Sequence, residues 1–251
     1  MFPNYPIPWL PALQVAWSAL LKRPRSFRQD ACRIIAAAEI PLHVRGGEHI
    51  PQHGPALITF NHYHRPGFGA WWLALAIGAL APAEIHWTMT AAWTETGDPA
   101  AKLRAAISRW LFPRLAHIYG FTAMPPMPPR PFEVEARARA VRQVLAAARL
   151  QPPPVIALAP EGKDMPGGVL SGPPPGAGRF LLHLSRLGYP IHPVGAYEEA
   201  QALCLSFGPA YTLEIPPGLA SQEADRQATQ VVMQAIARQL PARLRGEFTQ
   251  F

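Results

Sequence analysis

The chain has 251 residues, a formal net charge of +7 and 49% hydrophobic side chains, enough apolar material for one large domain or two small ones. Its 19 Gly and 31 Pro amount to about a fifth of the residues, below the ~25–30% that marks disorder, and the prolines gather at segment edges as stiff loops. Two cysteines, Cys32 and Cys204, lack Cys-x-x-Cys spacing, which argues against a disulfide framework. No nucleic-acid-binding module is legible, so nucleic acid is the weakest of the anionic partners, behind phosphorylated metabolites and anionic lipid, and a generically basic surface accounts for the charge as well.

The first charged side chain is Lys22, followed by Arg23 and Arg25, the reverse of signal-peptide order, and Pro3, Pro6, Pro8 and Pro11 argue against a spanning helix. Residues 12–21 and 26–39 read as helices, the second capped by Ser26. Trp9 to Leu21 suits either a flat position in a membrane interface, with the following basic run on anionic headgroups, or packing on the domain. A strand is predicted over Leu42–Arg45, a turn at Gly46-Gly47 and a buried strand over Ala56–Phe60. The uncharged run Pro66–Ala83 is broken by Gly67, Gly69, Gly78 and Pro82, and its helix over Phe68–Leu80 is predicted to be buried in the core. Glu84–Ala91 alternates as a strand. A long helix starts at Asp98 or Pro99 and runs to about Ile118, with a kink or break predicted at Pro113.

Gly120–Met124 reads as a short strand and Phe132–Leu150 as a helix whose charge order suits its dipole. Val155–Leu158 is a strand, Gly178–Leu187 a helix ended by Gly188, and Ile191–Val194 a strand. A hairpin is predicted from Ala202–Phe207 and Tyr211–Ile215, and Ser221–Arg238 is a closing amphipathic helix. The alternation predicts an α/β domain over 41–251, with a mainly parallel sheet flanked by helices. Residues 1–40 form a short N-terminal helical appendage.

Two segments carry chemistry. Asn61-His62-Tyr63-His64-Arg65-Pro66-Gly67 follows one buried strand, and Pro160-Glu161-Gly162-Lys163 follows another, at the carboxyl ends where α/β sheets place their sites. His62 can take a proton near neutral pH, or simply satisfy loop backbone. Gly162 permits close approach of backbone to ligand, Glu161 accepts hydrogen bonds, and Lys163 can meet a phosphate. Downstream stand Gly176-Ala177-Gly178-Arg179-Phe180 and Tyr189-Pro190-Ile191-His192-Pro193-Val194-Gly195.

Taken in order, Asn61-His62, Pro160-Glu161-Gly162-Lys163 and Pro190–Val194 resemble the blocks of the glycerolipid acyltransferase superfamily, lysophosphatidic acid type, over about residues 40–215. The resemblance implies a base, His62, that deprotonates an acceptor hydroxyl for attack on an acyl thioester. Asn61, Arg65, Glu161, Gly162 and Lys163 are then the candidates for binding substrate. No cofactor and no metal are implied; acyl-CoA or acyl carrier protein is the donor substrate. The expected setting is cytoplasmic and peripheral, against the anionic inner face of a membrane. The chain departs from the pattern twice. Gly67 stands where an aspartate should follow His62 by five residues, and Gly120–Pro126 lacks the family's arginine, Arg130 being the nearest basic residue downstream. His64, Tyr63, Glu95, Asp98 and Glu161 are the candidates for orienting His62 instead. A lipid-binding relative without catalysis is one alternative. A metal-dependent hydrolase built on His62-x-His64, drawing on His86, His117, Asp98 or Asp164, is another.

Overall fold

A computed structural model describes residues 2–93, 99–128, 130–163 and 165–249. Its strands are β1 (Leu42–Arg45), β2 (Ala56–Phe60), β3 (Ile85–Thr90), β4 (Thr122–Met124), β5 (Val155–Leu158), β6 (Ile191–Glu199) and β7 (Ala202–Phe207). Among the described residues they form one sheet in the order β1-β7-β6-β2-β5-β3-β4. The α-helices are α1 (Trp9–Leu21), α2 (Phe27–Ala37), α3 (Trp71–Leu80), α4 (Pro99–Tyr119), α5 (Val134–Ala147), α6 (Ala177–Arg186) and α7 (Ser221–Arg238).

β6, β2, β5, β3 and β4 are mutually parallel. Their connections run through helices, and right-handed crossovers put α3 and α4 on one face, α5 and α6 on the other. α2 packs on α3, α1 on α4, and α7 on α6. β2 and β5 are buried at every position, as apolar runs covered on both faces must be. β2 sits centrally, with β5 on one side and β6 on the other. The chain reaches β6 only after crossing from β5, so the carboxyl end of β2 lies at the kind of switch point where such sheets hold ligands.

Three expectations are corrected. The hairpin is β6–β7, antiparallel, turned at Ala200 and Gln201 with φ of 49° and 61°. That two-residue turn matches strand twist, so β6 continues to Glu199 instead of ending at Val194. Tyr211 makes only an isolated bridge to Ile191. The long helix is not broken at Pro113, which lies on its exposed side, where a freed carbonyl is open to water. The predicted buried helix is found: α3 buries Trp72, Leu73, Leu75, Ala76 and Ile77. Among the described residues no helix is long and apolar enough to cross a membrane.

α1 turns its apolar side outward. Ser18 and Ala19 are buried, whereas Trp9, Leu13 and Trp17, one helical turn apart, are 66%, 60% and 60% exposed. Leu10, Leu20 and Leu21 extend the same exposed arc.

Candidate active site

The register sets the site. Thr59 of β2 pairs with Leu158 of β5, so both strands end side by side and release Asn61-His62 and Pro160-Glu161 at the same edge. On the other side the last β2–β6 pair is Phe60 with Val194. β6 runs on, and the buried Asn61 side chain takes over the pairing. Its Nδ2 donates to the Ala196 carbonyl at 2.9 Å, and its Oδ1 accepts the Ala196 N–H at 2.7 Å. An amide that mimics a backbone unit satisfies two groups at a strand end without another residue of strand.

Glu161 is 1% exposed. Its Oε1 accepts the backbone N–H of His62 at 2.6 Å; its Oε2 accepts the N–H and hydroxyl of Ser171 at 2.8 and 3.1 Å. The carboxylate therefore ties the β2 loop, its own loop and the segment leading to α6. Burial pushes its pKa up, against the pull of those donors and of charge on His62. His62 itself is half-buried, at the first turn beyond the carboxyl end of β2.

Arg65 lies in a second cluster. Its Nε donates to Oε2 of Glu198 at 2.6 Å and its Nη2 to Oε1 at 2.8 Å, a bidentate fork on a carboxylate supplied by the extended β6. The Tyr63 hydroxyl donates to the same Oε2 at 3.0 Å. The pair keeps the guanidinium charged, while burial, then Glu198, raises the Tyr63 phenol. The N-terminal segment lies over this cluster. The Phe2 ring centroid is 4.4 Å from the Arg65 guanidinium, the Pro3 carbonyl accepts from Nη2 at 3.3 Å, and Tyr5 packs edge-on to Phe68.

The candidates thus fall into two groups. His62, Asn61, Glu161 and Gly162 come together at the carboxyl ends of β2 and β5. Arg65 is in the same loop but grips Glu198. Gly162 has φ of 65°, and a Cβ there would come within 3.3 Å of the Met127 side chain. The Gly162–Lys163 turn is exposed at the rim. Of the residues considered for orienting the imidazole, Tyr63 is committed to Glu198, and Glu95 and Asp98 fall outside the described residues. Gly67 adopts φ of 81°, and its missing Cβ would lie 3.5 Å from Nη1 of Arg65. Among the described residues no three His, Cys, Asp or Glu side chains converge as a metal site needs, and Asp164 falls outside them. His86 instead bonds the Thr122 hydroxyl at 2.9 Å.

Sequence reasoning missed Ser171, Ala196, Glu198 and Arg137. Glu198 is a buried acid within β6, which becomes visible only once that strand is seen to run on to Glu199. The Arg137 guanidinium reaches from α5 to the carbonyls of Pro125 and Pro126 at 3.1 and 3.0 Å, so it brings positive charge to the segment that lacks an arginine of its own.

No family model and no curated protein matches the chain. Among solved structures it is similar to the 1-acyl-sn-glycerophosphate (LPA) acyltransferase PlsC from Thermotoga maritima. The likeness has 15% identity and a TM-score of 0.49, and covers 90% of this chain and 88% of that one. At that identity no residue role carries across, and the site stands on its own geometry.

Proposed function

We propose that the protein transfers a fatty acyl group from an acyl thioester, acyl-CoA or acyl carrier protein, to a hydroxyl of a lysophospholipid or related lipid. His62 takes the proton from the acceptor hydroxyl, and the oxygen attacks the thioester carbonyl carbon. The tetrahedral intermediate collapses with cleavage of the C–S bond, and the imidazolium returns its proton to the departing sulfur. Glu161 acts through the backbone, fixing where the His62 loop stands. Gly162 and Lys163 at the rim, with Asn61 and Arg65 holding the loop to β6, shape the acceptor side. The enzyme works peripherally at the anionic inner face of a membrane, on which the outward apolar arc of α1 rests.

The observation that carries the reading is topological. The three blocks whose order resembles the acyltransferase pattern meet on three neighbouring strands, β5, β2 and β6, and Glu161 bonds the His62 backbone across two of them. The test is release of free thiol by purified protein with acyl-CoA and a panel of lysophospholipid and non-phosphorylated acceptors. Turnover abolished by His62→Ala supports the assignment, and turnover indifferent to it removes His62 as the base.

A second reading, lipid binding without catalysis, is favoured by Gly67, which leaves the expected aspartate position without a carboxylate. Measurable binding of lysolipid with no thiol release for any acceptor selects it.

A further inference from the structure

The first half of α4 carries an apolar face that the described residues leave uncovered. Leu103, Ile107 and Trp110, spaced i, i+4 and i+7 on one side of the helix, are 63%, 49% and 45% exposed. Lys102 and Arg109 border this stripe on one side and Arg104 on the other, all with exposed side chains. Apolar centre and basic margins are what a helix lying in an anionic interface requires, because the long cationic stems reach outward to the headgroups.

The placement of the stripe adds to its chemistry. Just past the carboxyl end of β3, Ala91 donates to the Met124 carbonyl at the end of β4. Two residues on, the N–H of Trp93 bonds Ser108 at 2.9 Å, and the Trp93 ring meets Phe112 at 5.0 Å. The middle of α4 is therefore level with the carboxyl edge of the sheet. The nine residues before Ser108 overhang that edge by roughly 13 Å, on the side where His62 stands. α1 runs beside α4 in the same direction: residues 2–5 lie by the His62–Phe68 loop, and Arg25 donates to the Ile118 carbonyl near the far end of α4.

We propose that the overhanging half of α4 is a second membrane-seated element, placing Leu103, Ile107 and Trp110 in an anionic bilayer beside the mouth of the site. A lipid acceptor then passes from the leaflet to His62 along α4 without crossing water. The proposal rests on the membrane-surface reading above and extends it to a helix remote in sequence from the N-terminal segment.

The test uses the full chain and vesicles of equimolar phosphatidylcholine and phosphatidylglycerol. Leu103→Asp with Ile107→Asp should lower partitioning roughly tenfold or more while leaving the thermal melt in place. In the wild-type background, the Trp110 emission, taken as the difference from Trp110→Phe, should be quenched by phospholipid brominated on its acyl chains. Turnover of a water-soluble short-chain acceptor should be unchanged in the aspartate variant. Unchanged partitioning together with unquenched Trp110 overturns the proposal. So does a wild-type dimer in sedimentation that the aspartates dissociate without altering vesicle binding, which would assign the face to a second copy of the chain. Absence of any turnover defeats the acyl-transfer reading alone, since the vesicle measurements still decide this one.

Discussion

Glu161 accepts the backbone N–H of His62 at 2.6 Å, so the acid that the sequence sets beside a possible base grips the main chain of that base's loop. The distinction has consequences. An acid acting on an imidazole tunes chemistry, whereas an acid holding a main-chain N–H sets position. Its other oxygen, on Ser171, extends the same tie to a third segment.

Glu161→Ala should therefore unfold more easily, by about 2–4 kcal/mol, because three donors lose a charged partner in a buried site. His62→Ala should cost under about 1 kcal/mol, since the bond uses main chain and survives the substitution. Urea denaturation of the two variants checks both values, and equal losses would contradict the backbone-tie account.

The pH dependence of that tie has a definite sign. Burial raises the native pKa of Glu161 above its ordinary value, so over the interval between them the native state holds more proton than the unfolded chain. Stability from this group is full below the ordinary carboxyl range and declines as pH rises through the native pKa. Glu161→Gln removes that titration. The stability gap between wild type and Glu161→Gln should narrow from acid to neutral pH, and a gap that widens would refute the assigned shift.

Breaking the Arg65–Glu198 fork should be costly. Arg65→Ala leaves a buried carboxylate without its guanidinium partner, for a loss of about 3–5 kcal/mol. Arg65→Met combined with Glu198→Leu should lose well under the sum of the single losses, because no stranded charge remains. A double-mutant cycle in denaturant measures the coupling, and strict additivity would show that the two residues do not act as a pair.

Placing an aspartate at position 67 should not raise activity. In Gly67→Asp the new Cβ enters a left-handed backbone position, at about 1 kcal/mol, and points at the Arg65 guanidinium. Turnover should not increase. A rise of about tenfold or more with an altered pH–rate profile would mean that the carboxylate reaches His62 after all.

Much of this architecture was readable in the chain because burial writes itself into composition. Val155–Leu158 is an unbroken apolar run and Ala56–Phe60 is interrupted only by Thr59, and the ends read from the sequence are those of the strands. The length of β6 was not, since its tail combines Gly195, Tyr197 and two glutamates and matches neither a buried run nor an alternating one. It became strand because Ala200 and Gln201 turn tightly enough to lay β7 alongside. That missing half-strand hid Ala196 and Glu198, and with them the structural duties of Asn61 and Arg65. A local motif names residue types, but it does not say which distant carbonyl or carboxylate they will meet.

The position of β1 has one more implication, for the order of events during synthesis. Among the described residues β1 pairs with β7 alone, Leu42 standing opposite Leu203, and the His62 loop needs Glu161, Ala196 and Glu198 to hold its shape. At typical elongation speeds the interval between the emergence of α1 and that of β7 is on the order of ten seconds or more. An apolar helix is thus free to meet a bilayer well before the loop it neighbours has anything to lean on. On the proposed membrane-surface reading, anchorage can precede assembly, and the finished site would then form already facing the bilayer.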